Sequence, residues 1–377
     1  DGGESWTRTD FDGMERCIDP WVVVLPGDTA LFAAIEIRSD AEGPERFRLN
    51  LRRSTDGGRT WSPQPDTLGR RFEHPILAPG GPGHGGALYL GALVFGPTDE
   101  EEEPPRLGWV GQLLARPAAG GGHRVEARRT ALLGPAPDLI VTGVAPLSDG
   151  ALVVTYRDFH GRVEGSEEGA AERARSWAVR SDDAGRTFGE PALVDSACAS
   201  GGLARAFPGY PSAIAGGSTG SSGDLLLHAC VRRNLEGVAV STSSDGGRSW
   251  SDPVRVDAGG GSEGTPHART PMLAAARDGR VAVAWYDRRH DPHGKCQDVY
   301  LAVSDNGGER FGPPVRVTTE TSCPGAEGNG RAGRSWPMGG DYGALAAGTD
   351  GTFHLLWADS RSGVFSLRRA AFRVVGE

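Results

Sequence analysis

No apolar run in this 377-residue chain approaches the ~20 residues that a membrane-crossing helix needs. The start carries no charged-then-apolar leader. A basic excess is missing too: 40 Lys and Arg against 49 Asp and Glu leave a net charge of −9, which argues against nucleic acid as a partner. No CxxC pair occurs among Cys17, Cys198, Cys230, Cys296 and Cys323, so a structural zinc site is not expected and no metal is assigned. Five is an odd count, compatible with two disulfides and one thiol or with five thiols, and leaves the compartment open. Long helical periodicity with caps is also lacking. What is abundant is Gly (58) and Pro (26), beside 38% hydrophobic residues, a composition of many turns around a real core.

One pattern repeats. STDGGRTW runs from Ser54 to Trp61, SDDAGRTF from Ser181 to Phe188, SSDGGRSW from Ser243 to Trp250 and SDNGGERF from Ser304 to Phe311. Its key positions Asp56, Asp183, Asp245 and Asn306 are 127, 62 and 61 residues apart, so one copy is expected to have degenerated near Arg116–Gly122. The acidic side chain suits bonds to the N–H groups of its own turn, Gly supplies positive φ, and the aromatic ring folds back onto the sheet. Alternating segments such as Gly150–Tyr156, Leu225–Val231 and Arg280–Tyr286 follow Gly/Asp turns and read as strands. A period near 60 with about four short strands per unit predicts an all-β, six-bladed β-propeller formed by residues 1–377 as one domain. Its units start near Pro20, Pro75, Leu139, Pro211, Pro271 and Ala344. Residues 1–18, opening with the partial motif DGGESW, are expected to complete the last blade and close the ring. The missing Ser before Asp1 suggests a start inside a longer precursor.

In an up-and-down blade these turns join strands three and four, so chemistry is expected at the opposite ends, where the second strands finish. Those ends are charged: Glu36 and Arg38, Tyr156-Arg157-Asp158, Arg232-Arg233, Tyr286-Asp287-Arg288-Arg289, and Asp359 with Arg361. Guanidinium forks gathered there suit a carboxylate, sulfate or phosphate; alternatively, neighbouring Arg and Asp simply pair with each other. His290–Asp298, with its metal-capable side chains, reads as a solvated loop. Gly80–Gly86 is a connection, Glu100–Glu103 and Ser218–Gly223 are hairpin tips, and Phe159–Gly169 is a candidate lid.

The repeated turn is the Asp-box, and the chain resembles the sialidase superfamily. Glu36-Ile-Arg38 followed by Leu51–Trp61 is similar to the family's first blade. Gly340-Asp341-Tyr342, ahead of Asp350-Gly351, is similar to the stretch bearing its nucleophile. The resemblance implies Tyr342 as nucleophile; with Tyr210 at the family's glutamate position, Asp341, Glu36, Asp287 and Asp359 from this chain's own stretch and strand ends are the candidate proton-handling carboxylates. It implies Arg232 as the second of three carboxylate-gripping arginines, and Arg288 or Arg289 as the third. Arg38, Arg157, Asp158, Arg361, Tyr210 and Tyr286 complete the expected binding set. The family's first arginine position reads Ile18 here, its loop aspartate position falls near Gly43, and its glutamate position reads Tyr210. The activity implied is hydrolysis of a terminal acidic sugar. A non-hydrolytic carbohydrate-binding propeller and a uronic-acid polysaccharide lyase are the alternatives. The expected partner is an acidic carbohydrate or glycoconjugate, bound by a secreted or periplasmic monomer. No cofactor is expected, a structural calcium being left open.

Overall fold

The computed structural model describes residues 4–25, 27–40, 46–70, 72–95, 106–117, 123–132, 139–160, 172–200, 212–218, 224–232, 237–257, 267–291, 293, 295–323 and 343–374. Among them there is no α-helix. Antiparallel sheets follow one another along the chain. Sheet one orders β1 (Cys17–Leu25), β2 (Thr29–Ile37), β3 (Phe47–Ser54) and β4 (Asp66–Arg70). Sheet two is β5 (Phe72–Pro79), β6 (Leu88–Phe95), β7 (Arg106–Pro117) and β8 (His123–Leu132). Sheet three is β9 (Leu139–Pro146), β10 (Leu152–His160), β11 (Glu172–Ser181) and β12 (Ala192–Asp195), with β13 (Ala199–Ser200) also pairing with β11. Sheet four is β14 (Ser212–Ser218), β15 (Asp224–Val231), β16 (Val238–Ser243) and β17 (Val254–Arg255). Sheet five is β18 (Ala268–Ala275), β19 (Val281–Asp287), β20 (Asp298–Ser304) and β21 (Val315–Arg316). The last sheet has three strands, β22 (Ala344–Ala347), β23 (Phe353–Asp359) and β24 (Ser366–Phe372). Every sheet is a meander in chain order, the blade of an all-β propeller. The N-terminal segment does not appear as a fourth strand of the last sheet: residues 4–16 form no strand. Instead Phe11 stacks on Phe32 with ring centroids 5.3 Å apart, meets the edge of Trp61 at 5.8 Å, and lies under the Arg52 guanidinium.

Two compact units divide the chain, 1–141 with 183–187, and 142–182 with 188–377. The core of the first joins sheets one and two through Ile35, Leu49, Leu51, Leu77 and Leu90. In the second, strand alternation sends successive residues to opposite faces. On β19, Val281, Val283 and Trp285 pack with Leu227 and Val240 of sheet four, whereas Ala282, Ala284 and Tyr286 pack with Phe353, Leu355 and Trp357 of the last sheet. A strand buried on both faces must be apolar at every position, which is why β19 reads as an unbroken apolar run until Asp287.

The Asp-box turns join β3–β4, β11–β12, β16–β17 and β20–β21, strands three and four of their sheets. In the first, Ser54 Oγ donates to Asp56 Oδ1 at 2.7 Å and accepts from the Gly58 N–H at 2.8 Å, while the Thr60 N–H donates to Asp56 Oδ1 at 2.9 Å. The Thr187 N–H does the same to Asp183 at 2.8 Å, and the Arg310 N–H to Asn306 at 3.0 Å. Gly57 and Gly58 sit at φ 72° and 89°, the left-handed region this turn requires. In sheet two the corresponding β7–β8 turn spans 118–122, outside the described residues.

Candidate functional site

The ends of the strands away from the Asp-boxes are built on Trp–Asp–Arg ties. In sheet five, Trp285 Nε1 donates to Asp287 Oδ2 at 2.8 Å, the Arg289 N–H to Oδ1 at 2.8 Å, and Arg289 Nη2 to Oδ2 at 2.6 Å. Sheet six repeats the pattern at the same spacing. Trp357 Nε1 donates to Asp359 at 3.2 Å, and the Arg361 N–H and Nη2 donate at 2.9 and 2.7 Å. Burial opposes ionisation of Asp359, but the bonds from Arg361 and Trp357 outweigh it and hold the carboxyl below its ordinary value. In sheet three the same chemistry crosses strands: Asp158 accepts from Trp177 Nε1 at 2.8 Å and from the Arg175 N–H at 3.1 Å. Thus Asp158, Asp287, Asp359, Arg289 and Arg361 are committed to neighbours. Arg289 also lies over the Tyr300 ring, 4.3 Å from its centroid. Tyr286 is 1% exposed, and its hydroxyl accepts from the Ala358 N–H at 2.9 Å and donates to the Ala358 carbonyl at 3.2 Å. Arg157, on β10, is 1% exposed.

The remaining sites divide as follows. In the first unit, Glu36 accepts from Arg52 Nη2 at 3.2 Å, and Arg38 pairs with Asp40 at an exposed position. Arg232, just after β15, is 27% exposed in its side chain, with Nε 3.8 Å from Asp195 Oδ2. Arg288 is different. It is 9% exposed, its N–H donates to the His267 carbonyl at 2.8 Å, no carboxylate among the described residues forms an ion pair with it, and its buried Nε, like those of Arg232 and Arg289, has no hydrogen-bond partner among them. The ladder Ala268–Asp287 and Arg269–Tyr286 puts Arg269 diagonally across from Arg288, on the same face. Burial first, and the like charge of Arg288 second, push the Arg269 guanidinium down to about 9. Burial also lowers Arg288. Tyr342, Asp341 and Tyr210 lie outside the described residues.

Beside the arginines, Asp257 and His267 form a buried pair at 2.6 Å, with Arg255 Nε on the other carboxylate oxygen at 2.7 Å. Burial raises Asp257, yet those two partners prevail and lower it. Gly237, at φ 109°, gives the carboxylate its room: a Cβ there would stand 1.7 Å from Asp257 Oδ2. In the 290–298 loop, His290 Nε2 bonds the Tyr300 hydroxyl at 2.6 Å, while Asp291 accepts backbone N–H groups, including that of His293 at 3.0 Å. These side chains therefore face different partners. Four cysteines are paired, Cys198 with Cys230 and Cys296 with Cys323, leaving Cys17 as a thiol. Arg269, Asp257 and His267 were not among the expected site residues, because they stand away from the second-strand ends where the charged runs of the sequence lie. First-strand starts and fourth-strand ends lie on the same side of a meander, and that rule would have found them.

No protein-family model and no curated protein matches the sequence. Solved structures do match in fold. A Hadza microbial sialidase superposes with TM-score 0.55 at 14% identity, over 94% of this chain and 65% of that one. The Trypanosoma rangeli sialidase in complex with the inhibitor DANA gives 0.50 at 15% identity, over 94% of this chain and 55% of that one. The leech intramolecular trans-sialidase complexed with 2,7-anhydro-Neu5Ac gives 0.52 at 14% identity, over 99% and 71%. The chain thus spans less than two thirds of the first two. The fold is shared with these sialidases.

Proposed function

We propose that this chain is a sialidase-like glycoside hydrolase acting on a terminal sugar that bears a carboxylate, on a six-bladed propeller whose last blade is β22–β24. The observation that carries the reading is the Arg288 guanidinium, buried beside Arg269 with its Nε unbonded. A desolvated cation next to a like charge is costly, and a ligand carboxylate held by a charge-assisted fork offsets that cost. In this reading Arg269, Arg288 and Arg232 hold the anion, and Tyr342 attacks the anomeric carbon with Asp341 handling protons. Gly343, the residue after Tyr342, fits against Met272 on the arginine-bearing strand; a Cβ at 343 would stand 2.4 Å from the Met272 sulfur. Two disulfides suit an oxidising compartment and so an exported protein.

The test is turnover of aryl sialosides and aryl uronides by wild type, Arg288→Ala, Arg269→Ala and Tyr342→Phe. Each arginine variant should lose at least tenfold in kcat/KM, and Tyr342→Phe nearly all of kcat. Wild-type rates in both arginine variants would overturn the reading. The saturation of Asp158, Asp287 and Asp359 by Trp and Arg donors favours a second reading, a non-hydrolytic carbohydrate-binding propeller. Binding of acidic glycans without turnover, weakened by salt, distinguishes it.

A further inference from the structure

One face of β15 carries Leu226 into the core shared with sheet three, and the same face continues at every second residue through His228, Cys230 and Arg232. A ligand atom from each of Cys198, His228 and Cys230 lies within 4.8 Å of the other two, and all three residues are buried. His228 is 1% exposed, its ring edge-on to Trp250, and its Nε2 has no hydrogen-bond partner among the described residues. Asp195, also buried, brings Oδ2 to 3.7 Å from Cys230 Sγ. The disulfide does not explain the imidazole. Two bonded sulfurs need no polar neighbour, and an unbonded buried ring nitrogen carries a desolvation cost that an apolar residue would avoid.

We propose that Cys198, Cys230 and His228 form a redox-gated metal site, closed while the disulfide is intact and competent for a zinc-like divalent ion once it is reduced, with Asp195 as the fourth donor. A dithiol reductant supplies two electrons and two protons to the S–S bond, itself becoming a disulfide, and leaves two thiols. The ion displaces both thiol protons to solvent, and the two thiolates formed match its double charge. Two thiolates, an imidazole and a carboxylate are a tetrahedral zinc donor set. The pair's Cα atoms are 5.7 Å apart. The sulfurs must separate to roughly 3.7 Å to accept two Zn–S bonds of about 2.3 Å. Arg157, whose charge reaches His228, works against the ion, and Arg232 competes for Asp195. The two thiolates balance the ion, and Asp195 offsets one of these two cations.

The experiment uses the full chain carrying Cys17→Ser, Cys296→Ser and Cys323→Ser, reduced with dithiothreitol, desalted anaerobically and titrated with cobalt(II). One equivalent with thiolate-to-cobalt absorption, displaced by zinc, absent before reduction and weakened at least tenfold by His228→Ala, is the expected result. A folded, reduced protein without that absorption, or one indifferent to His228→Ala, overturns the proposal. If the triple variant fails to fold, the reduced wild-type chain is alkylated with and without zinc. Zinc-dependent protection of Cys198 and Cys230 supports the site, and equal labelling overturns it. Neither readout depends on glycosidase activity.

Discussion

Asp245 and Asp56 are ionised parts of their Asp-box turns. Burial works against the Asp245 carboxylate, yet bonds from Ser249, Ser243 and the Arg248 N–H bring it down to about 2, and Asp56 is lowered by Thr60 and Ser54. A carboxyl depressed in the folded chain stabilises above its unfolded value near 4 and loses that contribution as pH falls from there toward 2. Denaturant midpoints should therefore drop over that window, and Asp245→Asn should flatten part of the drop. Asp245→Ala should cost about 2 kcal/mol at pH 7, since several charge-assisted bonds go at once. Asn306→Asp should change stability by less than about 0.5 kcal/mol. Position 310 there is Arg, where the other boxes offer Thr or Ser, so the second carboxylate oxygen gains no hydroxyl donor. Thermal melts of the two variants side by side check the contrast.

Between elements, covalent and steric ties decide. The Cys296–Cys323 bridge spans 27 residues and Cys198–Cys230 spans 32, lengths for which loop-closure entropy gives about 3–4 kcal/mol each. Replacing either pair by serine should lower the guanidinium midpoint accordingly. Gly237→Ala should cost several kcal/mol, because its Cβ would collide with the Asp257 carboxylate while φ stays at 109°; soluble yield and melting temperature report it. This is also the scale at which the sequence stops being legible. The Asp-boxes and strand alternation were readable because their causes are local: a turn bonding itself, a face buried every second residue. The cysteine pairing was not, since Cys198 and Cys230 meet only because sheet three lies against sheet four. Arg289 beside Asp287 and Arg361 beside Asp359 were visible as charge pairs, but Trp285 and Trp357 two residues earlier are what lock them. A reader armed with Trp-x-Asp-x-Arg would have called both ties structural. Arg269 needed the ladder register to place it beside Arg288.

At the scale of the whole chain, a net charge of −9 coexists with arginines concentrated at one set of strand ends. Anion binding there should be local and should weaken steeply with salt only as far as the site stays open to solvent. Both disulfides lie at those same ends: Cys230 closes a second strand, Cys296 precedes a third, and Cys198 and Cys323 sit in the links to the following sheets. Upon reduction, hydrogen exchange should rise first around 196–200, 230–232 and 288–298, while the turns at 54–61, 243–250 and 304–311 stay protected. Uniform acceleration would contradict that order. Within the second unit the two ends of the strands are fastened by unlike chemistry, sulfur on one and self-bonded turns on the other. Each can be undone without touching its opposite. Acid between about pH 4 and 2 should slacken the Asp245 turn while the cystines hold. A neutral reducing bath should do the reverse, so that a single polypeptide offers two separately addressable ways of coming apart.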